Sequence, residues 1–185
     1  MDPTLRTKQE RVKHPGATND GYIFGIMQSL PALIVRPAEP ADTEFLASLS
    51  SRLSGVPGPS WHDLAAMEGF QARYMADTFA ASALDGAATL VAWSSDGRRL
   101  GYIHMRPGKD GVTDEPCGYV SLLALEKDAE GTGIARRLMA EAEAWARARG
   151  YRFLSLDVFA DNKRAIDFYK RGGFESETLR MVKPL

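Results

Sequence analysis

The hydrophobic pattern is clearest in the second half of the chain, where apolar runs flank an amphipathic segment. Residues 119–125 form an apolar run that suits a buried strand, and residues 154–159 alternate polar and apolar positions. Between them, residues 134–149 repeat apolar side chains at helical spacing, with arginine and glutamate in the intervening positions. The pattern predicts a strand, a helix that ends at Gly150, and a second strand parallel to the first.

The first half of the chain predicts one strand followed by two helices. The strand covers residues 33–37, and a helix runs from Asp42 or Thr43 to about Leu53. A second helix covers residues 63–81, after a stretch rich in glycine and proline. Its candidate buried positions are Leu64, Met67, Phe70, Tyr74 and Phe79.

A hairpin and a last strand complete the predicted sheet. Residues 88–93 and 100–105 read as antiparallel strands, and the Asp96-Gly97 pair between them is a strong turn signal. Residues 179–183 are predicted to form the final strand. We therefore expect an α/β (α+β) fold with a mixed sheet of about six to seven strands, flanked by about four helices.

Composition narrows the class of protein. A chain of 185 residues with 44% hydrophobic content predicts one domain, here residues 32–185, preceded by a flexible arm or extension over residues 1–31. Met27 lies just before the first strand and is a second candidate start of the chain. A net charge of −1 predicts no general attraction to nucleic acid or to an anionic membrane.

Cysteine and histidine content bears on location and metals. Cys117 has no partner for an intrachain disulfide, which is consistent with a reducing compartment, and we expect a cytoplasmic protein. Three scattered histidines and one cysteine predict no metal site.

The stretch 130–135, Glu-Gly-Thr-Gly-Ile-Ala, joins the apolar run to the amphipathic helix. Glycines at a helix entrance leave N–H groups unpaired, and the helix dipole adds partial positive charge, so the stretch predicts a phosphate site. A P-loop would need Lys and then Ser or Thr after Gly133, and a dinucleotide fingerprint would need glycine where Arg136 stands. A plain strand-to-helix turn remains open from these six residues alone.

Two motifs together resemble the GNAT superfamily of acyl-CoA-dependent N-acetyltransferases. The first is its acyl-CoA loop, Gln/Arg-x-x-Gly-x-Gly/Ala, which matches at Gly133 and Ala135 but has Glu130 at its first position. The second is the block Asn-x-x-Ala-x-x-x-Tyr-x-x-x-Gly-Phe. It matches at Asn162, Ala165, Tyr169, Gly173 and Phe174. The resemblance covers residues 118–175 and implies a fold in which the two parallel strands splay apart.

The resemblance implies acetyl-CoA as co-substrate and a set of residues that bind it. Backbone groups of Leu123, Ala124 and Leu125 would pair with the pantetheine arm as an added strand does, and one of their amides would polarise the thioester. The amides of the glycine loop would receive the pyrophosphate, and residues of the second block would hold the rest. The implied cofactor-binding residues are Leu123, Ala124, Leu125, Glu130, Gly131, Thr132, Gly133, Ile134, Ala135, Asn162, Ala165, Tyr169 and Arg171.

Two of these residues keep an alternative role. Asn162 could instead cap its helix, and Arg171 could instead be a solvated cation near a helix C-terminus. Glu130 departs from the motif, since a carboxylate repels phosphate where Gln or Arg would donate to it.

Tyr169 is the catalytic residue that the resemblance implies. Its phenol would protonate the departing thiolate as general acid. The base is open: relatives carry an acidic residue near the position of Ser121, and the remaining candidates here are Glu115, Glu126, Asp157 or a water chain. His104 is a weaker candidate. Trp61, His62 and Tyr74 are candidate acceptor contacts.

We therefore expect an N-acetyltransferase that acts on a primary amine of a small molecule or peptide by direct attack in a ternary complex. The alternative is a CoA-binding sensor or scaffold with little or no turnover, suggested by Glu130 and the unlocated base. Neither nucleic acid nor membrane is an expected partner, and a homodimer is possible.

Overall fold

The computed structural model describes residues 33–81 and 86–185, and within them one five-stranded mixed sheet. The strands lie side by side in chain order, and only the last pair is parallel. They are β1 (Ile34–Pro37), β2 (Ala88–Trp93), β3 (Arg99–Lys109), β4 (Pro116–Leu125) and β5 (Leu154–Leu156).

The three helices that were predicted with bounds are all present, a fourth follows Asn162, and the first is broken into two. Leu49 leaves helical geometry, with φ −82° and ψ 0°, and separates the two short helices. Gly150 ends the crossover helix with a positive φ, as predicted. The helices are α1 (Thr43–Ser48), α2 (Ser50–Ser54), α3 (Leu64–Ala81), α4 (Ile134–Ala148) and α5 (Lys163–Arg171).

The sheet has an apolar core on each face. On one face, Ile103 and Val120 pack against Leu138 and its neighbours on α4, with aromatic side chains of α5 at the border. On the other face, Tyr102 and Leu122 pack against α1 and α3. The two cores make a three-layer arrangement in which both faces of the sheet are covered.

The predicted strand count of six to seven is wrong for the described residues, which contain five strands. Residues 172–185 contain no helix or strand, so the predicted strand at 179–183 is absent. Leu179 is 69% exposed and Met181 80% exposed. An alternating pattern shows that a segment can form a strand, but a strand also needs a sheet edge to pair with, and this segment pairs with none.

A β-bulge in β4 divides that strand into two parts. His104 pairs with Leu122, but the next residue of β3, Met105, pairs with Val120, so Ser121 is the extra residue. Such a bulge bends a strand and shifts the alternation of its side chains. Beyond it, Leu122 and Ala124 face α3, while Leu123 and Leu125 face α4.

The buried stripe of α3 differs from the predicted one. Met67, Gln71, Met75 and Thr78 are buried, at spacings of three and four residues. Of the predicted positions, Leu64 and Phe70 are exposed, and Tyr74 and Phe79 are half-buried. The stripe is shifted because two polar residues, Gln71 and Thr78, occupy core-facing positions that hydrophobicity alone does not identify.

Three predictions concern residues 1–32, which the structure does not describe. The flexible arm over residues 1–31, Met27 as a start and the domain boundary at residue 32 lie outside the described residues. Within residues 33–81 and 86–185, no helix has the length and apolar character needed to cross a bilayer.

His104 is buried on the α3 face of β3, beside the ring of Phe79. Neither ring nitrogen has a hydrogen-bond partner among the described residues. Burial, with a smaller contribution from the nearby charge of Arg106, lowers the pKa of His104 to about 4. The imidazole is therefore neutral at pH 7, as a buried core residue.

We predict that this histidine makes folding stability depend on pH. Its folded pKa lies below the unfolded value of 6.5, so stability is fully present above pH 6.5 and falls as the pH drops toward 4. The loss over this window, measured as the free energy of urea unfolding, is about 3 kcal/mol larger for wild type than for His104→Leu.

Carboxylates act in a lower window and leave this comparison clear. Asp42 and Glu130 have pKa values below 3.8 and 4.5, so they lose their stabilising contribution only below those values. Equal pH slopes for wild type and His104→Leu between pH 7 and pH 5 would show that the histidine is protonated in the folded state.

Candidate functional site

The glycine loop between β4 and α4 exposes a row of backbone donors. Gly131 and Gly133 have φ of 76° and 92°, in the left-handed region that a side chain disfavours. A Cβ added at either glycine would meet nothing within 4 Å, so the space in front of the loop is open. The amides of residues 131–136 donate to no acceptor in the described part of the chain. Together with the α4 dipole, they suit an anion.

The loop is held in shape from its N-terminal side. The hydroxyl of Thr132 donates to the carbonyl of Ala129 at 2.6 Å. The N–H of Glu130 donates to Lys127 at 3.4 Å, at the end of a 3₁₀ turn over Lys127–Ala129. The Glu130 amide is therefore already engaged, whereas those that follow it are available to a ligand.

The predicted splay of the parallel strands is present beside this loop. β4 pairs with β5 only from Gly118 to Val120, and Leu156 is the last paired residue of β5. Residues 121–125 of β4 therefore have no strand on that side. The gap opens at the Ser121 bulge, which bends β4 at the point where pairing stops.

Hydrogen bonds at the end of β4 show which backbone groups face the gap. The carbonyl of Leu125 accepts from Arg52 at 3.3 Å, whereas the N–H of Glu126 donates to Leu100 of β3. Since alternate residues of a strand direct their backbone groups to opposite neighbours, Leu123 and Leu125 face the gap and Ala124 faces β3.

Glu130 lies between two arginines. Its carboxylate accepts from Arg52 of α2 and, at 2.6 Å, pairs with Arg164 of α5. The hydrogen bond from Arg164, supported by Arg52, lowers the pKa of this carboxyl below its ordinary value. The carboxylate that sequence analysis interpreted as repelling phosphate is thus neutralised, and it joins α2, the loop and α5.

The second motif forms α5 and its entrance. Asn162 is the N-cap, and its Oδ1 accepts from the amide of Ala165 at 3.2 Å, so the capping role is present. The side-chain NH₂ of Asn162 has no partner among the described residues. Arg171 is exposed in the last turn of α5, about 10 Å along the helix from Arg164.

Tyr169 lies on the α4 face of the sheet. Its ring packs edge-on against Phe168 and Phe174, with centroids 5.2 and 5.7 Å apart, at the border of the core that contains Leu123. Its hydroxyl makes no hydrogen bond to a described residue. Burial raises the pKa of Tyr169 to about 12, so the phenol keeps its proton throughout the neutral range.

The candidate bases occupy different surroundings. Glu115 pairs with Arg152 at 2.9 Å, away from the gap, and Ser121 has a buried hydroxyl without a partner in the described ranges. Asp157 is the first residue of the β5 segment beyond the pairing, and accepts from the hydroxyl of Tyr119 at 2.9 Å. The third candidate, Glu126, lines a small cavity with Arg98 and Arg99 beside the β2–β3 turn. Among Glu115, Glu126 and Asp157, therefore, only Asp157 places a carboxylate at the gap.

The predicted acceptor contacts are only partly brought together. Tyr74 reaches the hydroxyl of Tyr119 at 3.4 Å. Trp61 and His62 lie beside each other instead, with their rings tilted by 57° and their centroids 6.1 Å apart. Tyr119 was not predicted as a site residue. The bulge at Ser121 shifts the alternation of side chains along β4, so the sequence pattern does not show which face Tyr119 occupies.

Two further observations concern a cavity outside this site and the grouping of metal-ligating side chains. A cavity of about 840 Å³ lies between α1, α3 and the start of β2, lined mostly by small and apolar side chains. Within residues 33–81 and 86–185, no three His, Cys, Asp or Glu side chains are grouped as metal ligands.

Comparisons with known proteins agree with this geometry. The family model described as Acetyltransferase (GNAT) family matches residues 59–174. Aminoglycoside N(6')-acetyltransferase type 1 of Stenotrophomonas maltophilia is 31% identical over 98 residues, which are 51% of this chain and 63% of that protein. Mycothiol acetyltransferase of Cellulomonas flavigena is 36% identical over 95 residues, 49% of this chain and 27% of that protein.

A solved structure supports the same fold. AAC(6')-Iy, in complex with the bisubstrate analogue CoA-S-monomethyl-acetylneamine, superposes with a TM-score of 0.61 and 20% identity, covering 83% of this chain and 99% of that one. At that identity the likeness shows the fold alone. The matched regions also span less than two thirds of the two curated relatives.

We predict that Glu130→Gln binds acetyl-CoA at least as tightly as wild type, between equal affinity and about tenfold tighter. The change removes a negative charge beside the free amides and releases Arg52 and Arg164 to face phosphate. Isothermal calorimetry with acetyl-CoA measures the dissociation constant.

Glu141→Gln is the matched control, because Glu141 pairs with Arg137 on α4 at 2.7 Å. It should bind acetyl-CoA as wild type does. A clear loss of affinity in Glu130→Gln alone would show that the carboxylate is needed to hold the loop open.

Proposed function

The chain belongs to the acetyltransferase (GNAT) family, and we propose that it transfers an acetyl group from acetyl-CoA to a primary amine of a small molecule or peptide. The observation that carries the proposal is the row of free amides over residues 131–136 beside the gap between β4 and β5. One feature suits a diphosphate and the other an extended amide chain, and acetyl-CoA contains both.

The chain's own groups would hold this co-substrate in three places. The amides from Gly131 onward receive the pyrophosphate, and the side-chain amide of Asn162 and the guanidinium of Arg171 are available to the remaining polar groups. Leu123 and Leu125 present backbone groups to the pantetheine arm, as a neighbouring strand would. Because alternate residues of β4 direct their backbone groups to opposite sides, Leu123 and Leu125 are favoured over Ala124 for pairing with the pantetheine arm.

The reaction requires one proton to be delivered to sulfur and two to be removed from the acceptor nitrogen. The bound ammonium first loses a proton to water, and the neutral amine then attacks the thioester carbonyl, so that a C–N bond forms and the C–S bond breaks. An N–H facing the gap from β4 stabilises the negative charge that develops on the carbonyl oxygen. Tyr169 donates its proton to the departing sulfur, and water removes the second proton from the nitrogen, which becomes positively charged on attack.

The raised pKa of Tyr169 keeps the phenol protonated, but it also makes the phenol a weaker acid toward sulfur. A thiol has an ordinary pKa of about 8.5, so transfer from a phenol with a pKa of about 12 is uphill in water. The same desolvation that raises the pKa of the phenol also raises that of a thiolate enclosed in the gap. The pKa of the phenol and that of the enclosed thiol therefore differ by less than about 12 differs from about 8.5.

The alternative function, a CoA-binding sensor or scaffold, rested on Glu130 and on the unlocated base, and the first of these no longer supports it. It depended on the repulsion expected between Glu130 and phosphate, and the ion pairs with Arg52 and Arg164 neutralise that charge. The domain division at residues 31 and 32, a cytoplasmic location and a homodimer stay predictions, as does the absence of nucleic-acid and membrane partners.

We predict that Tyr169→Phe lowers kcat by about a hundredfold or more, because the variant lacks the general acid. Binding of acetyl-CoA should change less than threefold, since the aromatic packing is retained. Release of free thiol from acetyl-CoA, measured across a panel of primary amines, gives kcat, and calorimetry gives the affinity.

Tyr151→Phe is the matched control, because Tyr151 packs against Trp145 outside the gap. It should keep wild-type turnover. The general-acid role is refuted if Tyr169→Phe retains full kcat, and the proposed function is refuted if the wild-type protein neither binds acetyl-CoA nor releases thiol with any amine.

A further inference from the structure

Five side chains on the α3 side of the gap form a closed ring of contacts. Phe70 stacks on Tyr74 one turn later, with centroids 5.9 Å apart, and meets Phe159 edge-on at 6.0 Å. Tyr74 reaches Tyr119 hydroxyl to hydroxyl, and Tyr119 donates to Asp157. Asp157 and Phe159 are two residues apart in the segment after β5, which completes the ring.

The direction of the hydrogen bonds in this ring is determined. Tyr119 has one hydroxyl proton and donates it to Asp157, so Tyr74 must donate to Tyr119. Burial, with smaller contributions from Tyr74 and Asp157, raises the pKa of Tyr119, and its phenol therefore stays protonated. The two tyrosines thus orient the carboxyl group of Asp157.

Asp157 has capacity to bind a ligand. Its side chain is exposed, it forms no ion pair with a described residue, and only Oδ2 has a hydrogen-bond partner there. Oδ1 is left to accept from a ligand. Phe70, which contacts Phe159 two residues after Asp157, is 42% exposed, so part of its ring is open to a ligand.

Position makes the ring relevant to the reaction. Asp157 directly follows Leu156, the last residue of β5 that pairs with β4. The ring therefore lies at the mouth of the gap, on the face opposite Tyr169, which packs with the α4 core. An amine held there would approach the gap from the side that the proposed pantetheine path leaves open.

We propose that this ring is the acceptor subsite, and that it selects a monoamine with an apolar, preferably aromatic, body. The inference rests on the proposed function. Asp157 binds the ammonium group through Oδ1, and the rings of Phe70, Tyr74 and Phe159 contact the apolar body and the cation.

Charge argues against a polycation as the acceptor. The guanidinium of Arg106 lies over the ring of Tyr119, 4.5 Å from its centroid, so one carboxylate and one cation share this face. The two charges cancel, and a second or third ammonium on the ligand would find no carboxylate in the ring. A single charge beside an apolar body therefore fits better than an aminoglycoside or a polyamine.

The test compares an amine with its uncharged analogue. Calorimetry measures binding of 2-phenylethylamine and 2-phenylethanol to the free protein and to the protein saturated with CoA. Wild type should bind the amine at least about tenfold more tightly than the alcohol, since a hydrogen bond to a charged group contributes about 1.5–3 kcal/mol. In Asp157→Asn this ratio should fall to about one, while affinity for the alcohol stays within about threefold.

Kinetics give an independent readout. Thiol release should show a higher kcat/KM for 2-phenylethylamine than for spermidine or kanamycin. Asp157→Asn should raise KM for 2-phenylethylamine about tenfold or more with kcat within about threefold, because the carboxylate binds the amine but is too weak a base to deprotonate it. Tyr119→Phe, which removes only the orienting donor, should raise KM by a few-fold.

Asp167→Asn is the charge-matched control, because Asp167 is exposed on α5 and forms no ion pair with a described residue. It should behave as wild type. An unchanged amine-to-alcohol ratio in Asp157→Asn, or a higher kcat/KM for the polycations in wild type, would overturn the subsite while acetyl-CoA binding and thiol release keep the proposed function. Absence of acetyl-CoA binding would instead overturn the proposed function, and the ratio measured on the free protein would still decide the subsite.

Discussion

The early end of pairing between β4 and β5 is the constraint on which the site depends. The two strands share only three paired positions, from Gly118 to Val120 on β4, and the Ser121 bulge bends β4 just beyond them. Parallel strands that stayed paired would use the backbone groups of Leu123 and Leu125 for each other. Because they part, these groups face open space, and Asp157 stands at the opening.

Electrostatic contacts connect the glycine loop to two helices. Glu130 joins Arg52 of α2 and Arg164 of α5 across the loop, and only 27% of its side chain is exposed. Ion pairs near the surface contribute little to stability, so the main consequence of these contacts is that the charge of Glu130 is neutralised beside the free amides. The residue that departs from the motif is therefore compatible with phosphate at this loop.

The two proposed roles, proton delivery and ammonium binding, belong to residues on opposite faces of the gap. Tyr169 lies with the α4 core and keeps its proton because it is buried, which suits delivery of a proton to sulfur. Asp157 lies with the α3 side, is exposed, and accepts a hydrogen bond from Tyr119 that orients it, which suits the binding of an ammonium. Because the strands part, the phenol of Tyr169 can be buried on one face of the gap while the carboxyl group of Asp157 is exposed on the other.

Patterns among residues close together in sequence determined several helices, a hairpin and the family of this protein. Periodicity predicted α3 and α4, and the Asp96-Gly97 turn predicted the β2–β3 hairpin. The resemblance carried by two spaced motifs implied the acyl-CoA loop, the splayed strands and the family. These features are readable because turns, caps and helical faces involve residues close in sequence. The tertiary structure alone decided that residues 179–183 find no sheet edge, that Phe70 lies exposed in a ring with Phe159, and that Glu130 meets two arginines. Each of these depends on contacts between residues far apart in sequence, which no local pattern specifies.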